Sequence, residues 1–162
     1  MARLTRRPDC ADNALGRLAM TRLQLPEPNP NVDWRVFRLQ QFIDRREGRL
    51  GWRLTDACRD LDLGISAPHA ARLFRQCCGL TIREYTKRKR FRSATKYLET
   101  TPLSIKEIAA NLGYSTPADF FRKFKELFHM TPSDYRERSR TASRCENLRN
   151  PGTSYGLMPR DA

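Results

Sequence analysis

The chain has 162 residues, about one ordinary domain with tails, and its 31 Lys and Arg against 18 Asp and Glu give a formal net charge of +13. That imbalance points to a polyanionic partner, nucleic acid or an anionic membrane surface, and says nothing about sequence specificity. No apolar run approaches the roughly 18 residues of a membrane-spanning helix and the N-terminus lacks the apolar core of a secretory signal, so a soluble intracellular protein is expected.

Residues 1–32 show no sustained periodicity and read as a flexible tail, closed by Pro26, Pro28 and Pro30 as a stiff linker. From Asn31 or Asp33 a helix runs to Glu47, with Val36, Leu39, Phe42 and Ile43 on one side, and stops at Gly48. Leu54, Ala57, Cys58 and Leu61 mark a second helix, which lacks a capping side chain because Arg53 precedes it. After a turn at Gly64, Ala70, Leu73, Phe74 and Cys77 mark a third, ended by Gly79. Thr81 and Glu84 have capping-box spacing and open a long fourth helix, residues 82–99, in which Lys87, Arg88, Lys89, Arg90, Arg92 and Lys96 fall without an intervening acid. Ile82, Tyr85, Phe91, Ala94 and Leu98 are its expected buried contacts, and Arg90 has Glu84 or another acid as a possible ion-pair partner.

Ser104 and Glu107 form another capping box, with Ile105, Ile108, Ala109 and Leu112 as the stripe of a fifth helix ending at Gly113. Thr116 caps a sixth, with Pro117 at its favoured first position, Asp119 as the reciprocal acid, and Phe120, Phe124, Leu127 and Phe128 turned inward. Thr131, Pro132 and Asp134 repeat the start signal for a last short helix holding Tyr135. From 139 to 162 no apolar period is present, and a disordered tail is expected.

The chain is an internal repeat with an offset of about fifty residues. Leu54, Ala57, Cys58 and Leu61 fall on Ile105, Ile108, Ala109 and Leu112, Gly64 falls on Gly113, and Arg72, Phe74 and Arg75 fall on Arg122, Phe124 and Lys125. In this alignment the first unit has two extra residues, Asp62 and Leu63, before its glycine. Two helices about a tight turn, twice in a basic all-α chain, form two helix-turn-helix units, residues 54–79 and 104–128.

The two units joined by a basic helix, with Leu112-Gly113-Tyr114-Ser115, then Phe120, Arg122, Phe124, Lys125 and Phe128, and finally Met130-Thr131-Pro132-Ser133-Asp134-Tyr135-Arg136, resemble the DNA-binding domain of the AraC/XylS family of bacterial transcription regulators. The resemblance covers about residues 34–138. It implies a seven-helix fold over 33–138, two three-helix subdomains joined by a long linker helix, whose second helices enter successive major-groove segments on one face of double-stranded DNA. It departs from the family pattern at His129, where a glycine is usual and a left-handed backbone is expected, and in the expansion before Gly64.

Opposite the Phe120 and Phe124 stripe lie Ala118, Arg122 and Lys125, with Phe121 at the edge; the first unit offers Pro68, Arg72 and Arg75, flanked by Ala71 and Gln76. Arg72 and Arg122 match the family's base-reading positions, and an arginine there donates two bonds to guanine O6 and N7. Pro68, Ala71, Pro117, Ala118 and Phe121 offer only apolar contact, with Phe121 equally readable as core. Readout would therefore lean on the backbone and on DNA shape. Arg75, Gln76, Lys125 and the exposed linker cations would meet phosphates.

The expected activity is sequence-specific transcription regulation in the bacterial cytoplasm, on the nucleoid, with RNA polymerase as a further candidate partner. The rival is a basic interaction module that binds an acidic protein, or DNA without specificity. Only about 30 residues precede the domain, so no built-in effector site is expected. Cys10, Cys58, Cys77, Cys78 and Cys145 follow no metal-ligand spacing and read as reduced thiols. His69 has no evident catalytic partner, and neither a cofactor nor an enzyme activity is expected.

Overall fold

Most helices of this chain begin where a short polar side chain meets the first free backbone N–H groups, an arrangement worth about 1 kcal/mol per cap. The computed structural model describes residues 23–26 and 32–149, with side chains to 142. Among the described residues there are seven helices and no strand.

Asp33 accepts from the Arg35 amide and opens α1 (Trp34–Arg45). Arg53 makes no side-chain cap for α2 (Leu54–Asp60), as its sequence position implies, and the Ser66 hydroxyl makes none for α3 (Ala67–Cys78). Thr81 caps α4 (Ile82–Thr100), although Glu84 does not reciprocate and pairs with Arg88 at 3.3 Å instead. Ser104 and Glu107 form a complete capping box on α5 (Ile105–Asn111). Thr116 caps α6 (Pro117–Phe128), and Thr131 with Asp134 bond reciprocally at the start of α7 (Pro132–Arg149).

Two apolar cores result, with α4 contributing to both. Val36, Leu39, Ile43, Ala57, Leu63, Ala70 and Phe74 surround the first, where α4 adds Ile82 and Tyr85. The second is aromatic: Phe120, Phe124 and Phe128 recur every fourth residue on α6, and Phe124 and Phe128 stack at 4.2 Å between ring centroids. Phe91, Ala94 and Leu98 of α4 close this core against α5, α6 and α7.

The turns correct the repeat alignment. Leu63 N–H donates to Cys58 O as Tyr114 N–H donates to Ala109 O, and Asp62 donates to Arg59 O as Gly113 does to Ala110 O. Asp62, at φ 47°, thus takes the left-handed place of Gly113 at φ 82°, and Leu63 takes that of buried Tyr114. Gly64 has no counterpart in Gly113. Because α3 begins at Ala67 and α6 at Pro117, the first turn is longer by a single residue, added after Leu63. Aspartate tolerates the left-handed region better than most side chains, so the glycine signal moved while the backbone did not.

The loop after α1 joins the units. Gly48 lies against the backbone of α4, where a Cβ would collide with Thr86 O. Leu50 N–H donates to Leu112 O at 3.1 Å, and the Tyr97 hydroxyl bonds Glu47.

Both expected tails differ in part. Leu23, assigned to the flexible N-terminal tail, is 3% exposed in the second core; Leu25 packs on the first, and Arg88 donates to Gln24 O at 2.8 Å. The leucines from Leu15 to Leu25 suggest no more than a short amphipathic turn, and so short a segment does not show in sequence which distant core it meets. At the other end α7 continues to Arg149, past the expected break at 139. Ser139 and Thr141 donate to the carbonyls four residues back, and Arg140, Thr141 and Ala142 are exposed, with no apolar spacing in the sequence to mark the continuation. Residues 1–22, 27–31 and 150–162 of the expected tails lie outside the described residues.

Candidate nucleic-acid interface

Helix α6 buries the Phe120, Phe124 and Phe128 stripe, and this fixes which of its side chains face outward. Ala118, Arg122 and Lys125 are exposed on the opposite side. Pro117 is half-buried at the first turn, and Phe121 is half-buried against the second core, its ring 6.4 Å from that of Phe120. Only part of Phe121 is therefore free to touch a partner. On α3, Ala70 and Phe74 face the first core, while Pro68, Arg72, Arg75 and Gln76 are exposed and Ala71 is half-buried. The structure thus brings the two arcs out on the outer faces of equivalent helices.

The two arginines differ in their surroundings. Arg122 Nη2 lies 2.7 Å from Asp119 Oδ1, with side chains 67% and 44% exposed. An exposed pair of this kind contributes at most about 1 kcal/mol, less than the ~1–3 kcal/mol by which a bidentate guanine contact discriminates. The pair turns the Arg122 guanidinium toward the first turn of α6 without locking it. Asp119 also accepts from the Thr116 hydroxyl, so its carboxylate orients side chains and does not close the capping box. In the first unit His69 stands where α6 has Asp119, and Arg72 has no acid at that spacing.

The basic run of α4 divides by helical phase. Lys87, Arg92 and Lys96 are exposed; Lys89 Nζ lies 2.8 Å from Asp44 Oδ1, and Arg88 is held by Glu84 and Gln24 O. Arg90 is 8% exposed and has no acid partner among the described residues; the expected pairing with Glu84 goes to Arg88 instead. The Arg90 guanidinium sits 5.6 Å from the Tyr114 ring centroid, and burial lowers its pKa. The sequence offers Arg90 either as one of the surface cations or as the partner of Glu84 or another acid between the units, and it is neither. Its position four residues before Ala94 and eight after Ile82 is the phase of the buried side, and that spacing was the available signal.

His129 ends α6 at φ 57°, ψ 19°, the left-handed conformation expected where a glycine is absent. The Cys58 and Cys78 thiols are buried and their pKa values are raised by that burial, Cys78 to about 11, which keeps them protonated and unreactive. Among the described residues no three His, Cys, Asp or Glu side chains cluster as a metal site, and no described helix is long and apolar enough to cross a membrane.

A family model described as a helix-turn-helix domain matches residues 62–138. The C-terminal domain of AraT, a response regulator from Geobacillus stearothermophilus, superposes with a TM-score of 0.59 at 26% identity, covering 66% of this chain and 87% of that one. The HTH-type transcriptional regulator GlxA of Rhizobium meliloti is 43% identical over 76 residues, 47% of this chain and 24% of GlxA. Regulatory protein SoxS of Salmonella typhimurium is 40% identical over 75 residues, and these span 70% of SoxS. The chain belongs to the AraC/XylS family.

Membership of the AraC/XylS family accounts for the helix-turn-helix architecture, and it makes the chain one of a family of transcription regulators. The family model begins at Asp62, so α1 and α2 stand outside the matched stretch. The chain spans less than a quarter of GlxA and most of SoxS.

Proposed function

We propose that this chain regulates transcription by binding double-stranded DNA sequence-specifically, with α3 and α6 laid in successive major-groove segments on one face of the duplex. The observation that carries this reading is the equivalence of Arg72 and Arg122, each exposed at the sixth position of a twelve-residue helix whose opposite face is core. Arg72 and Arg122 read guanine edges; Pro68, Ala71, Pro117, Ala118 and the free edge of Phe121 make apolar contacts; Arg75, Gln76 and Lys125 hold phosphates. The activity is binding and needs no cofactor. The reading gives the chain no effector site of its own, places it on the bacterial nucleoid, and leaves RNA polymerase as a second partner.

Titration of selected and scrambled duplexes across a salt series tests the reading. Arg122→Ala is expected to cost roughly 1–3 kcal/mol and relax preference at one base position, whereas loss of Lys125 weakens all sequences about equally. Equal affinity for both duplexes at every salt would refute specific readout. The rival, a protein-binding module, draws on Trp34 and Phe37, which stand 50% and 47% exposed on α1. Absence of DNA binding would favour it.

A further inference from the structure

Between the two units lies an open cleft of about 860 Å³. One wall is α3 at Ala71, the other is α6 at Lys123 and Leu127, and the floor is α4 at Lys87 and Arg90 with the loop from Arg49 to Trp52. Of the arcs assigned to the major groove only Ala71 lines the cleft, while Lys123 is the chain neighbour of Arg122 on α6. Its charged lining is unbalanced: Arg49, Arg83, Lys87, Arg90 and Lys123 face Glu84 and Glu126, and Glu84 is occupied by Arg88.

Arg90 is the unusual member. A buried guanidinium ordinarily has acceptors for its N–H groups, because an uncompensated buried charge is costly. Here Nε and Nη1, and the neighbouring Tyr114 hydroxyl, have no hydrogen-bond partner among the described residues. Arginine stays protonated, so its charge projects a fixed positive potential into the cleft.

Duplex geometry says what would lie there. Two major-groove segments on one face are one helical turn apart, and the surface between them is the minor groove, about 6 Å wide and bordered by both phosphate strands. DNA carries about one negative charge per 1.7 Å of axis, so a protein spanning a turn faces a dense row of phosphates at its centre. We propose that the inter-unit cleft seats the sugar-phosphate backbone bordering this intervening minor groove, with Arg49, Lys87 and Lys123 on phosphates and Arg90 biasing the floor toward anions. This inference rests on the DNA-binding reading above and adds a phosphate site between the two recognition helices, built from the α1–α2 loop and α4 with Lys123 of α6.

The test uses the full chain and its selected duplex, with uncharged methylphosphonates replacing the phosphates between the two segments. The expected result is weaker binding and a shallower salt dependence, by about 0.9 in the log–log slope for each phosphate charge removed from the cleft. A triple variant, Arg49→Ala with Lys87→Ala and Lys123→Ala, should bind the unmodified duplex with the same reduced slope and be indifferent to the methylphosphonates. Arg90→Met should weaken binding with no fall in the thermal midpoint, since apolar replacement of a buried charge is seldom destabilising. Undiminished affinity and slope on the methylphosphonate duplex, with specificity retained, would overturn the cleft proposal and leave the major-groove reading standing. Unchanged affinity in a folded Arg90→Met protein would remove Arg90 from it. Loss of preference for the selected over the scrambled duplex would count against the underlying reading instead.

Discussion

Replacing Gly48 by alanine tests how the two units are held together. Gly48 has φ +69°, and a Cβ there would collide with Thr86 O and lie 2.5 Å from Arg90 N and 3.0 Å from Arg90 Cα. All three are backbone atoms in the middle of α4, so no flexible side chain can move aside. The left-handed conformation costs an alanine about 1 kcal/mol, and forcing the α1 loop off α4 adds an overpacking cost of about 1–3 kcal/mol, for an expected loss of about 2–4 kcal/mol. Gly79→Ala is the control: its φ is +68°, nothing lies within 4 Å of its Cβ, and only the ~1 kcal/mol backbone cost applies. Urea unfolding followed by far-UV circular dichroism gives both values from the shift in midpoint at constant slope. Equal destabilisation of the two variants would refute the close approach of Gly48 to α4.

His129→Gly should stabilise the protein by up to about 1 kcal/mol, because it relieves the left-handed strain at φ 57° in an exposed residue; thermal unfolding measures this, and an unchanged or lower midpoint would contradict it. Leu23→Ala should cost about 2 kcal/mol or more in the same assay, since Leu23 is nearly fully buried among the second-core side chains, and no loss would mean that this segment does not dock. Hydrogen bonds from Ser104 and Thr131 hold the Glu107 and Asp134 carboxyls below their usual pKa values. A depressed carboxylate contributes stability that is full above its unfolded pKa, near pH 4, and lost as the pH falls through the lower folded value. Acid unfolding of Glu107→Gln combined with Asp134→Asn should therefore depend less steeply on pH below about 4, and an unchanged profile would rule out these caps as contributors.

Sequence alone carried the helix starts, the capping hydroxyls and both apolar stripes, because each depends on local spacing: Ser104 with Glu107, or Phe120 with Phe124, is legible wherever the chain folds, whereas the same spacing at Thr81 and Glu84 or at Thr116 and Asp119 does not show that the acid turns elsewhere. The arcs of Arg72 and Arg122 followed from the same phase. What stayed hidden depends on packing between distant segments or on backbone that different residues can adopt. Asp62 took a left-handed place that a search for glycine assigned to Gly64. Leu23 reaches a core that is remote in sequence, Arg90 stands among cations that mask its helical phase, and the sequence past Ser139 has no apolar period to mark the continuation of α7. The cleft between the units also has no sequence signature, since Ala71, Lys87 and Lys123 meet only once α4 has set the units side by side.

Selection of bound sequences from a random duplex pool, repeated with Arg72→Ala and Arg122→Ala, tests the central claim most directly. Two preferred segments are predicted, centred about one helical turn, 10–10.5 base pairs, apart, and each substitution should erase preference at a position in one segment while sparing the other. A single segment, or enrichment that survives both substitutions unchanged, would contradict reading by two recognition helices.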